Sequence, residues 1–172
     1  MADLDASISI APYDSTWPAR FESERNLLEE LLTPWLVGPI EHVGSTAVPG
    51  MPAKPIIDLM AAIKDLETAQ EAIPILETVK YCYAPYRADV EHWFCKPKPS
   101  LRTHHLHLVP YNSRLWDEML IFRDFLRREP ATAQRYIDLK RSLAQVHVTD
   151  REAYTEGKTA FVLSVVQKAY AQ

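Results

Sequence analysis

Residues 56–63, Ile-Ile-Asp-Leu-Met-Ala-Ala-Ile, constrain the chain more than any other stretch. A short apolar run bounded by a proline-bearing loop and a charged segment reads as a buried β-strand. Its single carboxylate, Asp58, breaks the pattern. A buried charge is costly unless it is paired or bound to a metal, so Asp58 must face the sheet's end, meet a cation, or take Lys54 as its partner. The other elements therefore have to cover a central strand and satisfy one carboxylate.

The segments around this strand predict an α+β architecture, a mixed sheet with helices packed on it. Residues 8–12 alternate as a short strand or extended arm, and a helix follows Trp17-Pro18. In that helix Phe21, Leu28, Leu31, Leu32 and Trp35 share a face, and Pro34 with Gly38-Pro39 ends it. A short strand over 40–43 leads into a Gly/Ser/Thr/Pro loop over 44–55. Residues 65–79 have helical spacing, but Pro74 divides them into two short pieces. Residues 81–84, 91–96 and 104–109 are β-prone. The C-terminal third is helical: one helix over 113–128, one opened by Pro130, and one behind Thr149-Asp150-Arg151-Glu152, which has the form of a capping box.

At 172 residues the chain is expected to form a single domain over 1–172. A net charge of −4 without a lysine or arginine run argues against dedicated nucleic-acid binding. Only Cys82 and Cys95 are present, too few for a disulfide scaffold or a four-ligand zinc site, and they read as reduced thiols of a cytoplasmic protein. The N-terminus lacks the pattern of a signal peptide, and the longest uncharged run, 42–53, contains two prolines and is too short to span a membrane. No feature speaks to oligomeric state.

Three segments carry polar groups where a sheet would place apolar ones. In Glu41-His42-Val43-Gly44-Ser45-Thr46 a strand ends in Gly-Ser, which is either an ordinary turn or a loop whose amides and hydroxyls hold phosphate oxygens. Asp58 is the second. The third is Arg102-Thr103-His104-His105-Leu106-His107, where a period of two puts His105 and His107 on one face and His104 with Leu106 on the other. Two imidazoles on one face suit a metal or a phosphate; the plainer reading is one core histidine beside an exposed one. Lys140 and Lys158 are either solvated or contacts for a triphosphate. Val109 stands where a histidine triad needs its third histidine, and no Gly-x-x-x-x-Gly-Lys-Ser/Thr sequence exists, which excludes a P-loop kinase.

Ile10-Ala11-Pro12-Tyr13 with Trp17-Pro18, the string Glu41 to Gly50, Ala53-Lys54-Pro55-Ile56-Ile57-Asp58 and Arg102 to His107 together resemble the GrpB family. The likeness continues through Phe122-Arg123-Asp124, Tyr136, Leu139-Lys140 and Tyr154-Thr155-Glu156-Gly157-Lys158, and so covers nearly the whole chain. It implies a nucleotidyltransferase-like fold, related to polymerase β: a short mixed sheet flanked by helices, with a helical C-terminal third. It also implies a metal-dependent nucleotidyltransferase acting on a nucleotide, or another phosphorylated small molecule, and a small acceptor. Gly44, Ser45, Thr46, Lys54, Arg102, Lys140 and Lys158 would hold phosphates, Asp58 and His107 would be catalytic, and Asp58, His105 and His107 would bind a divalent metal. The superfamily's second acid, two residues after the first, is Met60 here. That substitution weakens a Mg²⁺ site and, with two histidines nearby, favours Mn²⁺ or Zn²⁺. The alternatives are a catalytically degenerate nucleotide- or phosphate-binding module and a folding or assembly accessory; similar domains also occur fused to dephospho-coenzyme A kinase.

Overall fold

The structure is a computed structural model that describes residues 7–171. Five strands form one mixed sheet: β1 (Leu36–Val43), β2 (Ile57–Ile63), β3 (Cys82–Ala84), β4 (His92–Lys98) and β5 (Leu101–Pro110), in the spatial order β1-β2-β5-β4-β3. The apolar segment is the second strand in from the β1 edge. It pairs antiparallel with β1 and parallel with β5, whose other edge pairs antiparallel with β4. This parallel register sets Asp58 opposite His105 and Met60 opposite His107.

Alternation along β2 sorts its residues between two layers. Ile57, Leu59, Ala61 and Ile63, all fully buried, pack with Leu106 and Leu108 of β5 and Phe94 of β4. The helices α1 (Trp17–Leu32), α2 (Leu66–Ala69) and α3 (Ile73–Thr78) add Trp17, Phe21, Leu28, Leu32, Ala69 and Leu76 to the same cluster. At roughly 1.5–3 kcal/mol for each fully buried large aliphatic side chain, this layer is the main stabilising element. On the opposite face Met60 and Ala62 meet Val43, Val109 and Trp116, the last from α4 (Arg114–Arg128). A third cluster joins the loop residues Val48 and Met51 to Leu126 of α4 and to Tyr136 and Ile137 of α5 (Pro130–Val146). Phe161, from α6 (Arg151–Tyr170), packs against it. No helix is long and apolar enough to cross a membrane among the described residues.

Several expectations are corrected. Helix α1 ends at Leu32, and Trp35 lies beyond it. The strand that follows starts at Leu36, not Ile40, so Gly38 and Pro39 lie inside β1. A Cβ on Gly38 would come within 3.0 Å of Ala62 Cβ and 3.2 Å of the Tyr111 ring, and the glycine permits that close approach. Of the two readings of residues 8–12 the extended arm is the one found: Ala11 bridges Ala53, and the buried Ile8 donates its amide to the Val148 carbonyl at 2.7 Å. Helix α6 is capped by Asp150, whose carboxylate accepts the Ala153 amide at 2.9 Å, and not by Thr149. Division at Pro74 holds: α2 and α3 are separated by a 3₁₀ turn at Gln70–Ala72.

Candidate phosphate site

Strand β1 delivers the chain to Gly44 beside the first turn of β2, because Val43 pairs with Asp58. Gly44 adopts φ +71° and ψ −172° and leads into a 3₁₀ turn at Ser45–Ala47. A Cβ at this glycine would fall on the Asp58 carboxylate, 3.0 Å from its Cγ, so the turn and the carboxylate are in contact through bare backbone.

Asp58 is satisfied by histidine, and its hydrogen-bond partner is not Lys54. His105 Nδ1 donates to Asp58 Oδ1 at 2.9 Å, and His107 Nε2 lies 3.9 Å from the same oxygen. Burial opposes charge on Asp58, but the His105 hydrogen bond and the His107 imidazole hold its carboxyl well below the usual carboxylate range. His107 reaches further: its Nδ1 meets Glu91 Oε2 at 2.5 Å. Burial works against a charged imidazole there, yet Glu91 and Asp58 together raise it to about 9. His107 is therefore a cation held between two carboxylates at neutral pH. His105 is the opposite case. Burial lowers its pKa despite Asp58, leaving a neutral ring that donates from Nδ1 and has a buried Nε2 without a hydrogen-bond partner.

A lysine cluster stands over this network. Lys54 Nζ lies 4.6 Å and Lys158 Nζ 4.5 Å from the ring centre of the same buried Tyr154. Lys140 Nζ lies 5.0 Å from the Tyr136 ring and donates to the Pro52 carbonyl at 2.7 Å. Burial, reinforced by Lys158, lowers Lys54 to about 7; burial, with Lys158 and Lys54, lowers Lys140 to about 7. Burial also lowers Lys158, which Asp58 partly offsets. The Ser45 hydroxyl faces the Tyr136 phenol, which feels Tyr154 and Asp58 as well. Ser45, Lys54, Asp58, His105, His107 and Lys158 all retain partial exposure, so solvent reaches each of them, and the surface they share is called the recess.

Two of the expected phosphate contacts are engaged by other groups in the protein. Thr46 is buried, and its hydroxyl is engaged by His42 Nε2 at 2.9 Å and by the Ile56 carbonyl at 3.3 Å, which makes it a brace for the loop. Arg102 stands at the rim: its Nε donates to the Pro99 carbonyl at 2.9 Å and its guanidinium covers Trp93 at 5.3 Å. The Trp93 ring in turn lies 5.0 Å from that of His105. Sequence reasoning missed Glu91, which looks like a polar residue at a strand boundary; its only signal was a carboxylate one residue before a strand that pairs with a histidine strand.

The donor set does not fit Mg²⁺. Asp58 is its one partly exposed carboxylate, Glu91 is buried and taken up by His107, and Met60, two residues after Asp58, is fully buried with Val43 and Trp116. His105 and His107 turn nitrogens toward Asp58, and among the described residues no group of three or more His, Cys, Asp or Glu side chains is set to hold a metal ion.

Comparison with known proteins completes the description. The family model described as GrpB protein matches residues 7–168. The UPF0157 protein PA4798 of Pseudomonas aeruginosa is 38% identical over 97% of this chain and 69% of its own length. The crystal structure of the conserved protein GrpB from Enterococcus faecalis superposes with a TM-score of 0.84 at 31% identity, covering 94% of this chain and 96% of that one. A dephospho-CoA kinase of Mycolicibacterium paratuberculosis is 27% identical over 96% of this chain but only 46% of its own length.

Proposed function

Because the chain belongs to the GrpB family, we propose that its shared recess binds the phosphate groups of a nucleotide or another phosphorylated small molecule. The observation that carries this reading is the convergence of Lys54, Lys140 and Lys158 on two buried tyrosines beside Gly44-Ser45. Three amines in one partly dehydrated place repel one another, and Asp58, already engaged by His105, offsets only part of that charge. A polyanion relieves the repulsion, restores the lysine protons and accepts hydrogen bonds from the partly exposed Lys54 and Lys158, while buried Lys140, held on the Pro52 carbonyl, adds its charge. Trp93, covered by Arg102 next to His105, supplies a flat surface for a base beside the phosphates.

Calorimetric titration with tripolyphosphate and with ATP, without metal, tests the reading. Saturable binding is expected, and Lys54→Met or Lys158→Met weakens it by roughly 10- to 100-fold, as loss of one charge-assisted hydrogen bond does. Absence of heat and of any thermal shift with either probe overturns it.

Metal-dependent nucleotidyl transfer is the second reading, favoured by one observation: Asp58 Oδ1 and His107 Nε2 lie 3.9 Å apart, with Glu91 holding the far nitrogen of His107. A carboxylate–histidine pair of this kind orients a transition-metal ligand once His107 loses its proton. Repeating the titration with Mn²⁺ and Zn²⁺ distinguishes the readings. A phosphate module binds equally with and without metal and forms no product; a transferase requires the metal and is abolished by His107→Ala.

A further inference from the structure

The two cysteines stand directly opposite each other. Cys82 of β3 and Cys95 of β4 are register partners across an antiparallel ladder. In such ladders facing Cα atoms are about 4.5 or 5.5 Å apart, and both spacings fall inside the roughly 4.4–6.8 Å that a disulfide spans. Both thiols are free. Their environments differ. Cys82 is partly exposed on a three-residue edge strand, with its sulfur 3.5 Å from the Pro97 carbonyl oxygen. Cys95 is buried, opposite His105 on the other side of β4. Burial raises the Cys95 thiol pKa and the neighbouring Cys82 sulfur adds to this, while Arg102 and Arg151 favour its thiolate.

We infer that Cys82 and Cys95 form a redox modification site, a dithiol that closes to an intramolecular disulfide by exchange with a small-molecule disulfide such as glutathione disulfide. The partly exposed Cys82 attacks one glutathione sulfur as its thiolate, forming a mixed disulfide and releasing one glutathione thiolate. Cys95, reached only from within the protein, then attacks the Cys82 sulfur as its thiolate and expels the second glutathione. Two protein thiols are oxidised by two electrons, glutathione disulfide is reduced to two glutathiones, and the two thiol protons pass to the leaving thiolates. Exposure assigns the order: the accessible sulfur reacts first and the buried sulfur resolves it. Edge strand β3 becomes covalently tied to β4, the strand that also carries Trp93 to the recess. The inference stands on the strand pairing alone and is independent of any phosphate ligand.

The experiment is incubation of the full chain with excess glutathione disulfide, an acid quench, alkylation of the remaining thiols under denaturing conditions and intact-mass spectrometry. Wild type is expected to lose two hydrogens, retain no glutathione and resist alkylation. Cys95→Ser is expected to retain one glutathione, and Cys82→Ser to remain a free, alkylatable Cys95. Wild type that stays fully alkylatable, or that retains glutathione at equilibrium, overturns the inference. Thermal melts of the two serine variants under reducing conditions establish that each is folded, and a peptide map of oxidised wild type must show the 82–95 crosslink.

Discussion

The carboxylate of Asp58 occupies the place where a side chain on Gly44 would begin. Gly44 also sits at φ +71°, a backbone region that L side chains rarely adopt, so position and conformation both exclude a larger residue. Gly44→Ala is expected to destabilise the fold by about 1–3 kcal/mol from backbone strain alone, measured by chemical denaturation, with the steric conflict additional. In Gly44→Ala/Asp58→Gly the conflict disappears and the strain remains. The double variant should therefore lose less than the sum of the single variants, and strict additivity would refute the contact.

Anion affinity should fall at alkaline pH. Lys54 and Lys140 both lose their protons near about 7, and the charged forms bind an anion, so affinity is greatest below that pH. Above it, each lysine that must regain a proton costs up to about tenfold per pH unit. Sulfate is the suitable probe, since its charge does not change over this range. A flat sulfate affinity from pH 6 to 9 would contradict the assignment.

Glu91→Gln removes the largest influence that raises His107 and should move the imidazole titration down from about 9. A raised histidine stabilises the fold fully below its unfolded value of 6.5, and that stabilisation is lost as pH rises through about 9. The wild-type advantage over Glu91→Gln should therefore be largest below pH 6.5 and shrink toward pH 9. Denaturation midpoints measured across that range, with NMR titration of His107, check the sign.

Met60→Asp adds a second acid two residues after Asp58, but it does so inside an apolar cluster with Val43, Ala62 and Trp116. An unpaired carboxylate there costs several kcal/mol, so the variant is expected to melt far below wild type and to gain no Mg²⁺-dependent stabilisation. Mg²⁺ rescue of the melting temperature would show that the site can be built.

How far the site was legible follows from what each residue signals locally. Asp58 stands out in an apolar strand, and period two places His105 and His107 on one face; neither pattern says that β2 and β5 run parallel in the register that brings them together. Lys54, Lys140 and Lys158 are far apart in the chain and look like any solvated lysine until the helices close over the loop. Glu91 and the thiol pair depend on the pairing of β3, β4 and β5, which is non-local. The helix ends were misread where two signals compete. Gly38-Pro39 has the chemistry of a turn, but close packing against Ala62 and Tyr111 keeps it in β1. At the start of α6, Asp150 outcompetes the adjacent Thr149 as the cap.

Tyr154 and Lys158 belong to the first two turns of α6, whereas Lys54 and Asp58 belong to the loop and strand that start the central sheet. The recess is thus the seam between the sheet and the C-terminal helices, across which Lys158 is repelled by Lys54 and drawn by Asp58. An anion of the proposed kind would act there as a keystone. Its occupancy would convert a joint of opposed attraction and repulsion into one held closed from both sides, coupling the last helix of the chain to its most deeply buried strand.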